Sequence, residues 1–352
     1  MRQNNTRSIQ GRIISAPFNS ELLEGTLMEI RNIPILFGLS EASELTELNA
    51  GHINSTYLAV CGGKKYILQS LNREVFRAPE AVMDNIRRIE AAFDEAGCSD
   101  VAVPHFIAEG DKIYAVADEK VWRIYKYITA TEDAAAEPAA AGRAFGRFIR
   151  IMDGRTLNDT PAIEGFHDYD RYFAVLASKN SIDKSVLVTL DRLRNTLEQV
   201  FDSSMKKRII HGDAKADNII ISKEMTIIDL DTAMYGYAAI DYGDLVRSVC
   251  RHSMTDLNEV REITAGFAQG LGGILSDDEV NSLYYGILWL TGELAVRYLI
   301  DYKSENKYFR GKTSAQCFAR AEELLYQLKQ FTDLGEELRE IVHSQFDDAD
   351  CL

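Results

Sequence analysis

The sequence predicts a two-lobed α+β fold. A small antiparallel-sheet lobe would cover residues 1–128, and a larger, mainly helical lobe residues 129–352. Three observations carry this. Short runs of strand-like alternation fill the first half of the chain. All six prolines lie at or before Pro161, so the remainder lacks the residue that interrupts helices. Thr129–Pro138, with consecutive alanines among acidic residues, is the nearest thing to a linker.

In the first lobe Glu44–Asn49, Ser55–Cys61 and Lys65–Leu71 read as strands, with Gly62-Gly63 as the turn between the last two. A helix follows. Pro79 suits its first turn, Gly97 its stop, and Val82, Ile86, Ile89 and Phe93 share one face. Lys112–Ala117 and Lys120–Tyr127 then complete a five-stranded antiparallel sheet. Past the linker, Ala134–Met152 predicts a helix. Its Gly142 and Gly146 lie four apart and read as a close-packing face, while Arg143, Arg147 and Arg150 exclude a membrane reading. Asp170–Ser178 and Lys184–Phe201 are helical. Lys207–Ile210, Ile219–Ser222 and Met225–Leu230 are short strands. From Asp241 onward the pattern is helical, including Asp278–Asp301 and Ser314–Phe331, before an acidic tail at Asp347–Asp350 expected to fray.

Composition narrows the function. There are 39 Lys and Arg against 54 Asp and Glu, a net charge of −15, with no long basic run, so sequence-independent nucleic-acid binding is not expected. An anionic substrate would need a metal ion or a local cluster of donors. Five cysteines without a C-x-x-C pair point to a reducing compartment, the cytoplasm. No run of about 18 apolar residues offers a membrane span, and residues 1–27 lack the apolar core of a secretory signal. No heptad run is present, so a monomer is expected. A Walker A loop ending at Gly311-Lys312-Thr313 fails because position 306 is Asn, and neither H-E-x-x-H nor G-x-S-x-G occurs.

One stretch holds: His211-Gly212-Asp213-Ala214-Lys215-Ala216-Asp217-Asn218, then Ile227-Ile228-Asp229-Leu230-Asp231. Phosphoryl transfer needs a carboxylate at the attacking hydroxyl, oxygen ligands for a metal on the phosphates, and a cation at the migrating group. Asp213 suits the first role. Asn218, five residues on, and Asp229, closing an apolar run, suit the second. Lys215 suits the third. Asp231 reads either as a second metal ligand or as a residue that orients Asp229. His211 reads as a structural histidine bonded to backbone.

This segment resembles the aminoglycoside phosphotransferase and choline kinase group, relatives of the protein kinases, in its H-G-D-x-x-x-x-N loop and following I-D strand. A narrower resemblance, from about Met28 to Phe331, is to bacterial N-acetylhexosamine 1-kinases. It rests on Gly51–Tyr57, Tyr66–Asn72, Ile228–Thr232 and Arg297–Tyr302 in that order. The likeness implies a bilobal protein-kinase-like fold, Mg²⁺ with ATP as co-substrate, and a sugar acceptor phosphorylated at its anomeric hydroxyl. It implies nucleotide contacts from Gly51, Asn54, Thr56 and Gln69, with the adenine under a hinge near Tyr125 and Tyr127. Asp241–Asp244 would brace the catalytic loop. Arg297, with Tyr302 and Tyr308 as neighbours, would line the acceptor pocket. A buried Arg297 needs a partner, either a structural carboxylate or a sugar oxygen.

Two departures stand out. Gln69 occupies the third-strand position where protein kinases carry Lys, and only Gly51 remains of a glycine-rich loop. Without the Lys, Glu80 or Glu90 of the inserted helix has no evident partner across the nucleotide site. Two rivals follow: a kinase of the same superfamily for an aminoglycoside, methylthioribose or choline-like acceptor, and a nucleotide-binding pseudokinase.

Overall fold

The computed structural model describes residues 28–48, 53–131, 137–180, 182–250, 257–304, 308–309 and 311–349. The chain forms a mixed α+β, two-lobed fold. In the small lobe β1 (Glu44–Leu48), β2 (Ser55–Cys61) and β3 (Lys64–Ser70) precede α1 (Pro79–Ala96). β4 (Val101–Ala102), β5 (Ala115–Ala117) and β6 (Lys120–Lys126) follow. Five of these strands make one antiparallel sheet in the order β1-β2-β3-β6-β5.

Strand alternation gives the sheet two unlike faces. On one, Ala59, Cys61, Leu68, Trp122 and Ile124 bury against a 3-10 helix, Ile30–Phe37, through Ile33 and Phe37. On the other, Thr56 lies opposite Gln69 and Gln69 opposite Arg123, a polar row across three strands. α1 runs from Pro79 in its first turn to Gly97, which takes the left-handed conformation at φ 59° and ends the helix. The predicted Val82, Ile86, Ile89 and Phe93 are all buried.

The large lobe begins with α2 (Pro138–Met152), α3 (Tyr169–Ala177) and α4 (Lys184–Val200). Short strands β7 (Arg208–Ile210), β8 (Ile219–Ile221), β9 (Met225–Ile227) and β10 (Met234–Gly236) carry the catalytic-loop region. β10 pairs with β7, and β8 with β9, which also takes β4 as a parallel neighbour. α5 (Ala238–Val249), α6 (Asn258–Leu271), α7 (Asp277–Tyr302), α8 (Ser314–Asp333) and α9 (Gly335–Ala349) complete the lobe. A side-chain methyl on Gly142 would stand 2.2 Å from the Ile263 carbonyl, and one on Gly146 2.4 Å from that of Phe267. The glycine pair thus lets α2 and α6 touch backbone to backbone.

Several boundaries differ from expectation. The helix expected from Ala134 starts at Pro138, whose missing N–H costs nothing at a first helical position, while residues 132–136 lie outside the described set. The strand expected over Lys112–Ala117 shortens to Ala115–Ala117, because Glu109 and Lys112 close a turn. The run to Leu230 leaves the sheet at Ile227, and Leu230–Thr232 is a 3-10 turn. Of the acidic tail, helix α9 carries on through Ala349, and residues 350–352 lie outside the described set. Among the described residues no helix is long and apolar enough to cross a membrane.

Candidate active site

The catalytic loop leaves β7 and is fixed before any reacting group appears. Gly212 sits at φ 80°, and a Cβ there would come within 2.5 Å of the Thr232 carbonyl. The Asp241 carboxylate, at the start of α5, accepts the backbone N–H groups of His211 and Gly212, both at 2.8 Å. Burial pushes Asp241 up to about 6, against the pull of those two N–H groups. His211 is sealed between the rings of Phe145 and Phe148. Its Nε2 faces the Ile228 carbonyl at 3.0 Å and its Nδ1 accepts from the Asp213 N–H at 3.2 Å, which selects the Nε2–H tautomer. It works as a structural pin between the loop and the Asp229 segment.

Asp213, Lys215, Asn218 and Asp229 come together on this frame. The Lys215 ammonium donates to Asp213 Oδ2 at 2.6 Å, and Asn218 Nδ2 donates to the Asp213 carbonyl at 2.8 Å and to Oδ2 at 3.0 Å. Burial would raise Asp213, but the Lys215 charge and hydrogen bond, with the Asn218 hydrogen bond, outweigh it and hold the carboxyl below its ordinary value. With its nitrogen committed, Asn218 has its amide oxygen left for a ligand. Asp229 adopts φ 62°, a left-handed conformation uncommon outside glycine. Its side chain is open to the solvent of the cleft, yet protein encloses it on the remaining sides. That enclosure, then the charges of Asp231 and Asp213, push it up to about 7.

These are hard oxygen donors, and the Asp229 carboxylate is pushed up despite the nearby Lys215 and Arg123 charges. They fit a divalent cation that completes its shell with phosphate oxygens and water. Among the described residues no group of three or more His, Cys, Asp or Glu forms a metal site by itself. An ion here would therefore rely on the phosphates.

Asp231 is differently placed. Arg123 NH1 bonds to its Oδ1, Arg123 NH2 to its Oδ2 at 3.0 Å, and Asn54 Nδ2 to Oδ2 at 2.7 Å. Arg123 Nε in turn donates to Gln69 Oε1 at 2.9 Å, and Gln69 Nε2 to Thr56 Oγ1 at 3.1 Å. Asn54, Thr56 and Gln69 therefore converge on one another, on Arg123 and on Asp231. Gly51 lies outside the described residues. Tyr125 is buried on the same sheet face, edge-on to Phe106 at 5.1 Å, whereas Tyr127 is exposed beside Lys65. Glu80 pairs with Arg73 at the surface. Glu90 is buried, accepts the Phe106 N–H at 2.7 Å, and is pushed up to about 7 by that burial.

On the other side of the loop, Arg297 of α7 lies among aromatic rings. Its guanidinium is 4.4 Å from the ring centre of Tyr308, 5.4 Å from that of Tyr172 and 5.6 Å from those of Phe166 and Phe309. Its NH1 reaches Glu293 Oε1 at 3.3 Å. Glu293 Oε2 meets His167 Nδ1 at 3.2 Å, and His167 Nε2 meets the Gly212 carbonyl at 2.7 Å. A hydrogen-bonded chain thus runs from the catalytic loop to Arg297. Burial would lower His167, but the Glu293 carboxylate and the Gly212 carbonyl raise it, and both ring nitrogens face acceptors, so it is an imidazolium. Tyr302 is not brought into this group; its ring lies 4.7 Å from that of Phe318.

A family model described as "Phosphotransferase enzyme family" matches residues 44–273, well over half the chain. The chain belongs to that phosphotransferase family. Its fold is shared with solved small-molecule kinases at low identity. A microcompartment-associated aminopropanol kinase superimposes with TM-score 0.67 and 16% identity, covering 86% of this phosphotransferase and 96% of that chain. An amicoumacin kinase solved with AMP-PNP and Ca²⁺ gives 0.60 and 17%, covering 82% and 90%. A choline/ethanolamine kinase family protein from Mesorhizobium loti gives 0.59 and 19%, covering 86% and 92%.

Three polar residues bonded into this arrangement escaped the sequence reading. Arg123 sits in the strand run Lys120–Lys126, where alternation says only that it shares a face with Val121 and Tyr125. His167 lies between elements at φ 56°, in a Gly165-Phe166-His167-Asp168 stretch without periodicity. Glu293 was legible in principle: it stands four residues before Arg297 on a helix, the spacing of a side-chain pair.

Proposed function

We propose that this phosphotransferase moves the γ-phosphoryl group of ATP, with Mg²⁺, to the anomeric hydroxyl of an N-acetylhexosamine. Asp213, kept ionised by Lys215, accepts the hydroxyl proton as the sugar oxygen attacks phosphorus and the bond to the β–γ bridging oxygen breaks, releasing ADP. Asp229 and the Asn218 oxygen would hold the cation, which supplies charge neutralisation on the phosphates. Lys215 exchanges its bond to Asp213 for the migrating phosphoryl group, where negative charge develops.

The observation that carries the choice of acceptor is Arg297 with its ring of aromatics. A buried guanidinium offers donors to carbonyl and hydroxyl oxygens, and flat rings suit the apolar face of a sugar. It is a poor neighbour for an ammonium group. At about 5 Å, like charges in a surface-like dielectric repel by ~3 kcal/mol, and Glu293 is already shared with the His167 imidazolium. A neutral acetamido sugar therefore fits better than an amino alcohol or an aminoglycoside. The residue pattern shared with N-acetylhexosamine 1-kinases supports the same reading.

The test is ADP release across N-acetylglucosamine, N-acetylgalactosamine, glucose, 1-amino-2-propanol, choline, kanamycin and methylthioribose. Turnover on the two acetamido sugars, at least tenfold above the amines in kcat/KM, is expected. Preference for an amine would transfer the assignment to that acceptor class. Nucleotide binding with no turnover on any acceptor would favour the pseudokinase.

A further inference from the structure

We propose that Asp231 is the anchor of a clasp between the two lobes rather than a metal ligand, and that Arg123 is the positioning residue which, through this carboxylate, holds the Asp229 segment beneath the sheet. The inference rests on the kinase reading of this site, though not on the identity of the acceptor.

The polar row across the sheet ends on Arg123, each of whose three guanidinium nitrogens is engaged. Nε goes to Gln69, NH1 to Asp231 and to the Met83 sulfur at 3.8 Å, and NH2 to Asp231. The two side chains of the pair are 2% and 1% exposed. A phosphate in the cleft therefore finds little of the guanidinium to reach, and a cation finds both Asp231 oxygens engaged. Asn54 closes the third side: its Nδ2 goes to Asp231, and its Oδ1 accepts the Asn72 N–H at 3.1 Å.

Three small-lobe side chains, from the segment before β2, from β3 and from β6, thus end directly or through Arg123 on one large-lobe carboxylate. That carboxylate lies two residues past Asp229, inside the 3-10 turn Leu230–Thr232. A third-strand lysine in a protein kinase pairs with a helix glutamate to order the nucleotide site. Here Gln69 holds that strand position without charge, and the neighbouring strand supplies the cation in direct register. Its partner is Asp231, two residues past Asp229, while Glu90 of the inserted helix accepts the Phe106 N–H instead. The turn that Asp231 anchors begins directly after Asp229, so the clasp fixes the backbone on the C-terminal side of that left-handed residue.

The test is a double-mutant cycle of Arg123→Met and Asp231→Asn, with Arg123→Lys as the conservative variant. Each is read by thermal unfolding, by calorimetric affinity for Mg·ADP, and by kcat with the best acceptor of the panel, or by slow ATP hydrolysis if no acceptor reacts. ADP binding and hydrolysis need no sugar, so a wrong acceptor assignment leaves this test intact. The expected result is a kcat loss of at least tenfold in each single variant and a smaller loss in Arg123→Lys. The double variant should be no worse than the poorer single, and Mg·ADP affinity should weaken together with kcat in the same non-additive pattern, because Asp229 shifts with its turn. Because removing one partner strands a buried charge, the charge-free double variant keeps the test open if a single variant fails to fold. A lowered melting temperature with kcat unchanged would reduce the pair to a structural contact. Additive kcat losses would uncouple Arg123 from Asp231. A Mg²⁺ requirement raised tenfold by Asp231→Asn, whether or not Arg123 is present, would make Asp231 a metal ligand.

Discussion

Asp213 and Asp229 face the same cleft, yet their neighbours drive them in opposite directions. Asp213 has Lys215 at 2.6 Å and stays ionised. Asp213→Asn should lower kcat by about 10²–10⁴-fold, the range for losing a general base, with ADP affinity nearly kept; initial-rate kinetics beside calorimetry check this. Lys215→Ala should lower kcat more than it raises KM for ATP, because its charge is needed most in the transition state. An effect confined to KM would make it a ground-state phosphate binder. Asp229, pushed up to about 7, keeps a proton the unfolded chain would release near its ordinary value of 3.8. Without a cation this group therefore favours the folded state increasingly as pH falls from about 7 toward 4. A cation reverses the preference, since it binds the carboxylate. Affinity for Mg·ADP should weaken between pH 8 and pH 6 in the wild type, and Asp229→Asn should flatten part of that dependence. The meeting of Asp213, Lys215 and Asn218 was readable in the chain because the D-x-x-x-x-N spacing is local. The clasp around Asp231 was not, because it joins residues 177 and 108 positions apart and depends on strand register.

Among the elements, local rules set what the sequence could show. α1 matches its expected limits because Pro79 and Gly97 act within a turn of themselves. The 3-10 helix Ile30–Phe37 was missed: it is short, Arg31-Asn32 break its apolar pattern and Pro34 lies inside it, while its Ile33 and Phe37 bury against the sheet it covers. β4 is two residues long and exists only through β9, more than a hundred positions away. The α2–α6 contact was legible from one side, Gly142 and Gly146, and the structure adds Gly266 and Gly270 opposite them. A Cβ on Gly266 would stand 1.9 Å from the Ala139 carbonyl. Gly266→Ala should therefore separate the helices and cost about 1–3 kcal/mol or more. Thermal or urea unfolding reads this directly, and kcat of the folded fraction should stay within a few-fold of wild type, since neither helix carries a reacting group. An unchanged midpoint would show that the two backbones can part freely.

For the molecule as a whole, the charge pattern separates nucleotide chemistry from acceptor choice. The chain carries −15 overall, but the group around Arg297 comprises a guanidinium, an imidazolium and one carboxylate. That cluster is joined to the catalytic loop at Gly212, one residue before Asp213. The acceptor is thereby expected to be uncharged, and its hydroxyl to be one a carboxylate can deprotonate with little driving force. An anomeric hydroxyl is more acidic than other sugar alcohols and meets that need. The decisive measurement is ³¹P NMR of the product from free N-acetylglucosamine or N-acetylgalactosamine, run beside the methyl glycoside of the same sugar. The account predicts an acid-labile 1-phosphate from the free sugar and no product from the glycoside, whose 1-oxygen carries no proton. Phosphate at the 6-position, or brisk turnover of the methyl glycoside, would contradict it.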